Sequence, residues 1–270
     1  MKIGYATGAR LFRTLPAGFN LFSLPVYSLS MSEYYYFGSG SSAPYHRFSN
    51  FHHAPIRVAA KDVTESMAQL SPELRSWIGD IGGFFVFPSA EHVWHALKAK
   101  NVATLLRFTS HGDLGQWSAS FFTRVMPKAL QGTSAGLERG KKKMAYWHKK
   151  GNIGIMAKMA ANPKYTKAMG FDPRADMNYG RETLEEDLER RVWLSIHHLK
   201  YSQHAALRTL LLETGETPLI EFDRAGIRNP SKTKWGGCVD EKGVLHGQNK
   251  MGMYLMLYRR KIAGPSPPRF

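Results

Sequence analysis

One segment of the sequence places a carboxylate and an amine where both could reach a single ligand. Glu91 and Lys98 stand seven positions apart, so on a helix they lie within about 20° of one face and about 10 Å along the axis. Trp94 and His95 fill the same face between them and are candidate substrate contacts. Cleavage of a glycosidic bond needs a proton donor for the leaving group and a group that traps the electron-poor sugar carbon. Glu91 and Lys98 are therefore candidate catalytic residues, against the alternative of a surface helix whose charges face solvent.

The sequence gives no indication of a metal or a bound cofactor. His92 and His95 are three positions apart, with no carboxylate at the spacing of a zinc-binding helix, so packing or hydrogen bonding explains them better. The single cysteine, Cys238, cannot form an intramolecular disulfide or a cysteine-based zinc site. We therefore expect a metal-free site in a reducing compartment.

A short polar loop is a candidate for substrate binding. Ser49 and Asn50 lie between Phe48 and Phe51, so a loop anchored by aromatic rings would offer two hydrogen-bonding side chains.

The glycine-rich segment from residue 232 onward describes a backbone that turns sharply and lets a ligand approach. Trp235 and Gly236 are candidate substrate contacts there, because glycine leaves space beside the aromatic ring. Asn249 is expected to cap a helix through Met251 and Leu255, whose N-terminus would attract phosphate. The phosphate-binding glycine patterns of Rossmann and P-loop proteins do not occur, which disfavours both classes.

A basic stretch at residues 139–150 interleaves cations with aromatic side chains and contains no acid. Such a surface can hold phosphates and stack bases, whereas the alternative is a solvated run of charge. The whole chain carries 37 Lys and Arg against 21 Asp and Glu, a formal charge of +16 that favours polyanionic partners. The candidate nucleic-acid contacts are Lys141, Lys142, Lys143, Lys149 and Lys150.

Helices must position most of these residues. The segment from Ala90 to Leu106 has no Gly or Pro and follows Ser89, a good N-cap, which predicts one helix. An apolar stripe predicts a second helix after Thr183, and a third runs from His204 to a stop at Gly215. The stripe consists of Leu184, Leu188, Val192, Ile196 and Leu199.

Strand-like runs are few, at residues 84–87, 219–222 and 253–258. We therefore expect an α+β fold, a predominantly helical single domain with a few short strands, spanning residues 31–262. Residues 1–30 contain no acid and no sustained helical period, which fits an upstream start codon or a mitochondrial presequence. Residues 263–270 are expected to form a Pro-rich tail.

The hydropathy of the chain excludes an integral membrane protein, because no run of about 18 apolar residues exists to cross a bilayer. We expect a cytoplasmic or nuclear protein, or a mitochondrial one if residues 1–30 are a presequence.

Taken in order, six motifs of this sequence resemble the YbiA-like NADAR family. They cover residues 34 to 260 apart from a middle, 109 to 183, that shows no alignable pattern. The motifs are YYYF from Tyr34, FSNF from Phe48, PSAEHVWHALK from Pro88, ALRTLLLETG from Ala206, WGG from Trp235 and GQNKMGMYLM from Gly247. A chance recurrence of all six in this order is much less credible than homology.

The resemblance implies a YbiA-like fold that hydrolyses N-glycosidic bonds without a metal. It implies that Glu91 is the acid/base and that Lys98 attacks the anomeric carbon to form a Schiff base. Ser49, Asn50, Trp235 and Asn249 fall on motifs that the resemblance assigns to binding. Two positions depart from the family pattern: His95 stands where Gln is usual, and residues 232–234 replace the region where an Asp precedes Trp-Gly.

Three functions remain open within this resemblance. The first is removal of ADP-ribose from ADP-ribosylated guanine in a nucleoside or nucleic acid, which the charge and the basic stretch favour. The second is cleavage of pyrimidine intermediates of riboflavin synthesis. The third is a catalytically silent module that binds ADP-ribose or nucleic acid, which the missing Asp favours and the presence of both Glu91 and Lys98 disfavours.

Overall fold

Three pairs of short strands are set among helices in the computed structural model, which describes residues 34–60, 83–172, 175–177 and 186–264. In the first pair the strands are parallel, and in the other two they are antiparallel. The strands are β1 (Tyr35–Phe37), β2 (Ile56–Ala59), β3 (Phe84–Phe87), β4 (Leu219–Glu221), β5 (Cys238–Val239) and β6 (Leu245–His246), paired as β1–β4, β2–β3 and β5–β6.

Helices make up most of the remaining described residues, and this mostly helical α+β fold confirms the prediction. Short 3-10 helices occur as well, and the one at Tyr45–Phe48 leads into the FSNF loop. The α-helices are α1 (Ala90–Ala96), α2 (Val102–Arg107), α3 (Ala119–Arg124), α4 (Ser134–Lys149), α5 (Gly154–Ala160), α6 (Pro163–Thr166), α7 (Glu186–Gln203), α8 (Ala205–Glu213), α9 (Ala225–Arg228) and α10 (Lys250–Ala263).

The helix predicted from Ala90 to Leu106 is in fact two helices. Ser89 caps the first as expected, because its side chain accepts a hydrogen bond from the His92 amide. That helix ends at Ala96, and Asn101 then caps α2 by accepting a bond from the Thr104 amide at 2.8 Å. Lys98 therefore lies in the turn between two helices rather than on the helical face of Glu91, so the prediction of a shared face is wrong.

Two other helix predictions are confirmed. On α7, Val192 and Ile196 are buried while Leu188 and Leu199 pack at the edge of the core. Leu184 lies outside the described residues. On α8, Leu207 and Leu211 are buried and Leu210 is partly buried, and the helix ends before Gly215, which has a φ of 55°.

The strand predictions are confirmed in two places and wrong in one. The run at 84–87 is β3, and the run at 219–222 is β4 with Phe222 bridged to Gly237 just beyond it. The run at 253–258 belongs to α10 instead. Gly252 allows that helix to press against β4, because a Cβ at this position would clash with the Leu219 carbonyl.

The two predicted chain ends are described only in part. Residues 1–30 and 265–270 lie outside the described residues. Ala263, where the tail was expected to begin, is the last residue of α10. None of the described helices is long and apolar enough to cross a membrane.

Candidate functional site

Glu91 lies on the first turn of α1, where three segments of the chain meet. Its amide donates a hydrogen bond to the carbonyl of Asn50 at 3.1 Å, so the polar loop predicted to bind substrate lies directly on this helix. Gly154 begins α5 and has no space for a side chain, because a Cβ there would lie 3.0 Å from Glu91 Cβ. The carboxylate is thus placed where α1, α5 and the loop at residues 48–51 converge.

The Glu91 carboxylate is held in its ionised form. Its side chain keeps 11% of its exposed area, so solvent and ligand can reach it. Burial raises the pKa of Glu91, but a 3.1 Å hydrogen bond from His95 and the positive charges of Lys158 and Lys98 together hold it below its usual value. A proton donor at neutral pH would need the opposite shift, so this pKa favours the ionised, base form of Glu91, and its acid/base role stays a prediction.

His95 is the immediate partner of Glu91 and is neutral at physiological pH. Burial lowers its pKa, and the charge of Lys98 adds to this effect against the opposing pull of the carboxylate. When Nε2 donates to Glu91, Nδ1 becomes an acceptor, and this buried atom makes no hydrogen bond with the protein. The position that departs from the family pattern therefore offers an unsatisfied acceptor beside the carboxylate.

His92 has a structural role, as expected. Its Nδ1 lies 2.8 Å from Ser89 Oγ and its Nε2 lies 3.0 Å from the Leu114 carbonyl, so both ring nitrogens are occupied. Across the described ranges, no group of three or more His, Cys, Asp or Glu side chains has an arrangement that could hold a metal ion.

Three indole rings form one aromatic wall beside Glu91. Trp94 stacks on Trp193 of α7 with ring centroids 5.0 Å apart at 28°. Trp235 meets both rings edge-on, at 6.0 Å and 5.9 Å. The structure thus brings together Trp94 and Trp235, which are 141 positions apart, and adds Trp193, which the sequence analysis treated only as part of a helix.

Two amines rest on this aromatic wall. Lys98 Nζ lies 4.8 Å from the Trp94 ring centroid, and Lys234 Nζ lies 4.9 Å from that of Trp235. The charge of Lys98 also lowers the pKa of both Glu91 and His95. The turn therefore still brings Lys98 to the Glu91 site, although by a different route from the predicted helical face.

The FSNF loop is buried, but one of its polar atoms remains unsatisfied. Ser49 is 2% exposed and its Oγ accepts a hydrogen bond from the Phe51 amide at 3.2 Å. Asn50 is 4% exposed, and its side-chain Oδ1 makes no hydrogen bond with the protein. Since a buried acceptor is costly to leave unpaired, Asn50 is the member of this loop best suited to a ligand donor.

Asn249 does not cap α10 with its side chain, contrary to expectation. It adopts a left-handed conformation with a φ of 46°, its Oδ1 accepts from the Glu221 amide at 3.0 Å, and its Nδ2 donates to the Leu219 carbonyl at 2.9 Å. Gly236 lies against the same strand, because a Cβ there would clash with the Glu221 carbonyl. Both residues therefore fix the end of β4, and their contact with substrate stays a prediction.

The residue at that strand end, Glu221, is one that the sequence analysis missed. Burial and the negative charge of Glu91 raise its pKa to about 8, against the opposing charge of Lys158. Two carboxyl groups whose proton affinities are driven apart in this way are a recurrent acid/base arrangement. In the sequence, the signal for Glu221 was a glutamate at the end of an apolar, strand-like segment.

Asp223 lies beside the strand end that carries Glu221. It lies next to Gly236, where a Cβ would be 3.0 Å from Asp223 Cβ, and its charge also raises the pKa of Glu221. Asp240 instead pairs with His246 at 2.8 Å within the β5–β6 hairpin.

Lys158 on α5 is a second missed residue. Its Nζ lies 5.1 Å from the Phe51 ring centroid, and its charge lowers the pKa of Glu91, His95 and Glu221 alike. The residue falls in the middle segment that no motif covers, so only the packing of α5 on α1 reveals it.

The basic stretch lies on α4, and all five predicted lysines are exposed. At about 100° per residue, the Lys and Arg residues of this stretch other than Lys141 lie on one face of the helix, about 120° wide. That lysine lies on the flank, where its Nζ bonds to Glu138 at 2.8 Å. The face carries Arg139, Lys142, Lys143, Tyr146, Lys149 and Lys150, all exposed. This face is called the α4 basic face below.

No family model, curated protein or solved structure matches this chain.

Proposed function

We propose that the protein is an N-glycoside hydrolase that removes ADP-ribose from ADP-ribosylated guanine in a nucleoside or a nucleic acid. The observation that carries this proposal is the pair of carboxyl groups, an ionised Glu91 and a Glu221 with its pKa raised to about 8, beside Lys98 on an aromatic wall. The six family motifs supply the bond and the class of substrate.

The reaction uses these groups in separate roles. Lys98, after losing a proton to water, attacks the anomeric carbon as the bond to the guanine nitrogen breaks, and the departing base takes a proton from Glu221. Ionised Glu91 stabilises the positive charge that develops on the sugar. Opening of the sugar ring gives an imine with Lys98, and water then hydrolyses it to release ADP-ribose and the free amine.

The aromatic wall and the α4 basic face suit the two parts of such a substrate. An indole can stack on a base or sugar face, and exposed cations can hold the phosphates of a polymer. A free metabolite does not need an extended basic face, so this surface favours nucleic acid over the pyrimidine intermediates of riboflavin synthesis.

The test measures ADP-ribose and guanosine released from ADP-ribosylated guanosine and, in parallel, base released from the riboflavin pyrimidine intermediate. Release of ADP-ribose and guanosine supports the proposal, release of the pyrimidine alone replaces it with the second function, and binding of ADP-ribose without release indicates a silent module.

The proton donor is tested by the pH profile. A general acid works only while it is protonated, so activity should fall as pH rises through about 8, the pKa of Glu221. Glu221→Gln should lower activity and remove this alkaline fall, whereas Asp240→Asn, a change in the hairpin, should leave the profile as it is. A profile that keeps the same fall in Glu221→Gln would assign the acid elsewhere.

A further inference from the structure

A fully buried cation that takes no part in the proposed reaction lies next to the FSNF loop. Lys200 on α7 is 0% exposed. Its Nζ donates to three successive carbonyls, those of Arg47 at 3.2 Å, Phe48 at 3.3 Å and Ser49 at 3.0 Å. An ammonium group has three N–H donors, so all three are used on one short stretch of backbone about 150 positions earlier in the chain.

These carbonyls are of the kind that a helix leaves unpaired. They lie at the end of the 3-10 helix Tyr45–Phe48, where the last carbonyls lack partners within the helix and a positive charge is favoured. Lys200 therefore provides the hydrogen-bond donors that a local C-cap residue would otherwise provide. Burial lowers its pKa to about 7, while the charge of Glu221 opposes this shift.

The stretch that Lys200 holds continues directly into the site. Immediately after Ser49, the Asn50 carbonyl accepts from the Glu91 amide at 3.1 Å, and the Phe51 carbonyl accepts from the Gly154 amide at 3.0 Å. The loop thus ties the first turn of α1 to the first turn of α5, and with them the two residues Glu91 and Lys158.

We propose that Lys200 is a positioning residue, a buried clasp that holds the FSNF loop against Glu91 and so sets the geometry of the binding site. Its role in substrate binding rests on the proposed function, but its action on the loop does not. Without the three donors, the carbonyls of Arg47 and Phe48 would be left unpaired and that of Ser49 would keep only the bond from the His52 amide at 3.1 Å, so the loop would detach from the two helices.

The test is amide hydrogen exchange resolved to single residues in Lys200→Met, which keeps the length of the side chain and removes every donor. The amides of Glu91 and Gly154 should exchange at least about tenfold faster than in the wild type, because their acceptors belong to the loop. Lys200→Arg keeps the charge and the donors and should restore most of this protection.

Arg259→Met is the matched control. Arg259 is also a buried cation, 2% exposed, and it fixes a different turn by donating to Thr214 Oγ1 at 2.7 Å and the Thr217 carbonyl at 2.8 Å. Its removal should lower the melting temperature and expose that turn, while the Glu91 and Gly154 amides keep their protection. Equal effects of the two variants at Glu91 and Gly154 would overturn the proposal.

Affinity for ADP-ribose separates this inference from the proposed function. A weaker affinity in Lys200→Met, with Arg259→Met unchanged, supports both. If the wild type does not bind ADP-ribose, the proposed function fails, whereas faster exchange at Glu91 and Gly154 still supports the clasp.

If Lys200→Met does not fold, the wild type provides the test. Acetylation of Lys200 by acetic anhydride requires the loop to lift, so it should be limited by the same opening that exposes the Glu91 amide. Labelling of Lys200 much faster than that opening would overturn the proposal.

Discussion

The Glu91 site and the α4 basic face are built on opposite principles. The site joins residues from α1, α5, α7, β4 and two loops, segments that are far apart in the chain. The α4 basic face comes from one helix, and its cations are exposed and owe their alignment to helical spacing alone. The comparison teaches that the site is sensitive to packing, whereas the face responds to charge and salt.

The largest expected effect concerns Lys98, because a covalent nucleophile cannot be replaced by a neighbour. Borohydride added during turnover should leave the protein heavier by one reduced sugar adduct, located at Lys98 by peptide mass spectrometry. Lys98→Arg should lose the adduct and about 10³-fold or more in turnover. In Lys158→Arg, which changes the other amine near Glu91, the adduct should remain at Lys98.

An absent adduct together with a Lys98→Arg variant that still turns over would contradict this role. Lys98 would then be a phosphate contact on the Trp94 ring, and water would attack the sugar directly.

Glu91→Gln should lower turnover by about 10²-fold or more, because it keeps the shape of the side chain and removes its charge. Steady-state release of ADP-ribose measures the loss. Glu138→Gln is the matched control on the α4 flank, where the exposed carboxylate pairs with Lys141, and it should leave turnover unchanged. Near-normal activity in Glu91→Gln would remove it from the mechanism.

Trp235→Ala should weaken ADP-ribose binding by about 1–3 kcal/mol, the range for stacking of an aromatic ring on a base. Because Trp235 also packs on Trp94 and Trp193, calorimetry of binding must accompany a thermal melt. Trp147→Ala, another partly buried indole but on α4, should lower stability without changing affinity. If the two variants behave alike, Trp235 is a packing residue only.

The smallest effect, and the one confined to polymers, should come from the α4 basic face. Replacing Lys142, Lys143, Lys149 and Lys150 by Gln should reduce the salt dependence of binding to ADP-ribosylated DNA or RNA by about 0.7 to 0.9 in slope for each phosphate that is no longer neutralised. Activity on the modified nucleoside should stay the same.

Lys141→Gln is the control for that experiment, since this lysine lies off the face and pairs with Glu138. An equal loss with Lys141→Gln would mean that net charge, not the aligned face, attracts the polymer. An equal loss on the nucleoside would place the cluster in the pocket or in folding.

Local features of this fold were predictable from the sequence because local rules determine them. Ser89 capped α1 as its type and position indicated, and the apolar stripe located α7. No Gly or Pro marks the end of α1. The signal in the sequence was Asn101, which caps α2 and so shows that a second helix begins there. A capping residue inside an otherwise helical pattern can therefore mark a helix boundary as well as a breaker does.

Long-range features of the site could not be predicted, because their causes lie far apart in the chain. The raised pKa of Glu221 depends on Glu91, 130 positions earlier. Asn249 resembled a helix cap in sequence, but its amide instead completes the edge of β4. Lys158 carried no local signal, since only the approach of α5 to α1 gives it a role.

The parallel pairing of β1 with β4 has a consequence for how the molecule is made. Tyr35 lies opposite Leu219, so β1 can pair only after β4 has been synthesised, about 180 residues later. Contacts of such sequence separation are slow to form and late to appear during synthesis. Glu221 then needs Asn249 to secure its strand. On the ribosome, β4 and Glu221 are therefore expected to reach their final positions only after α10 has emerged.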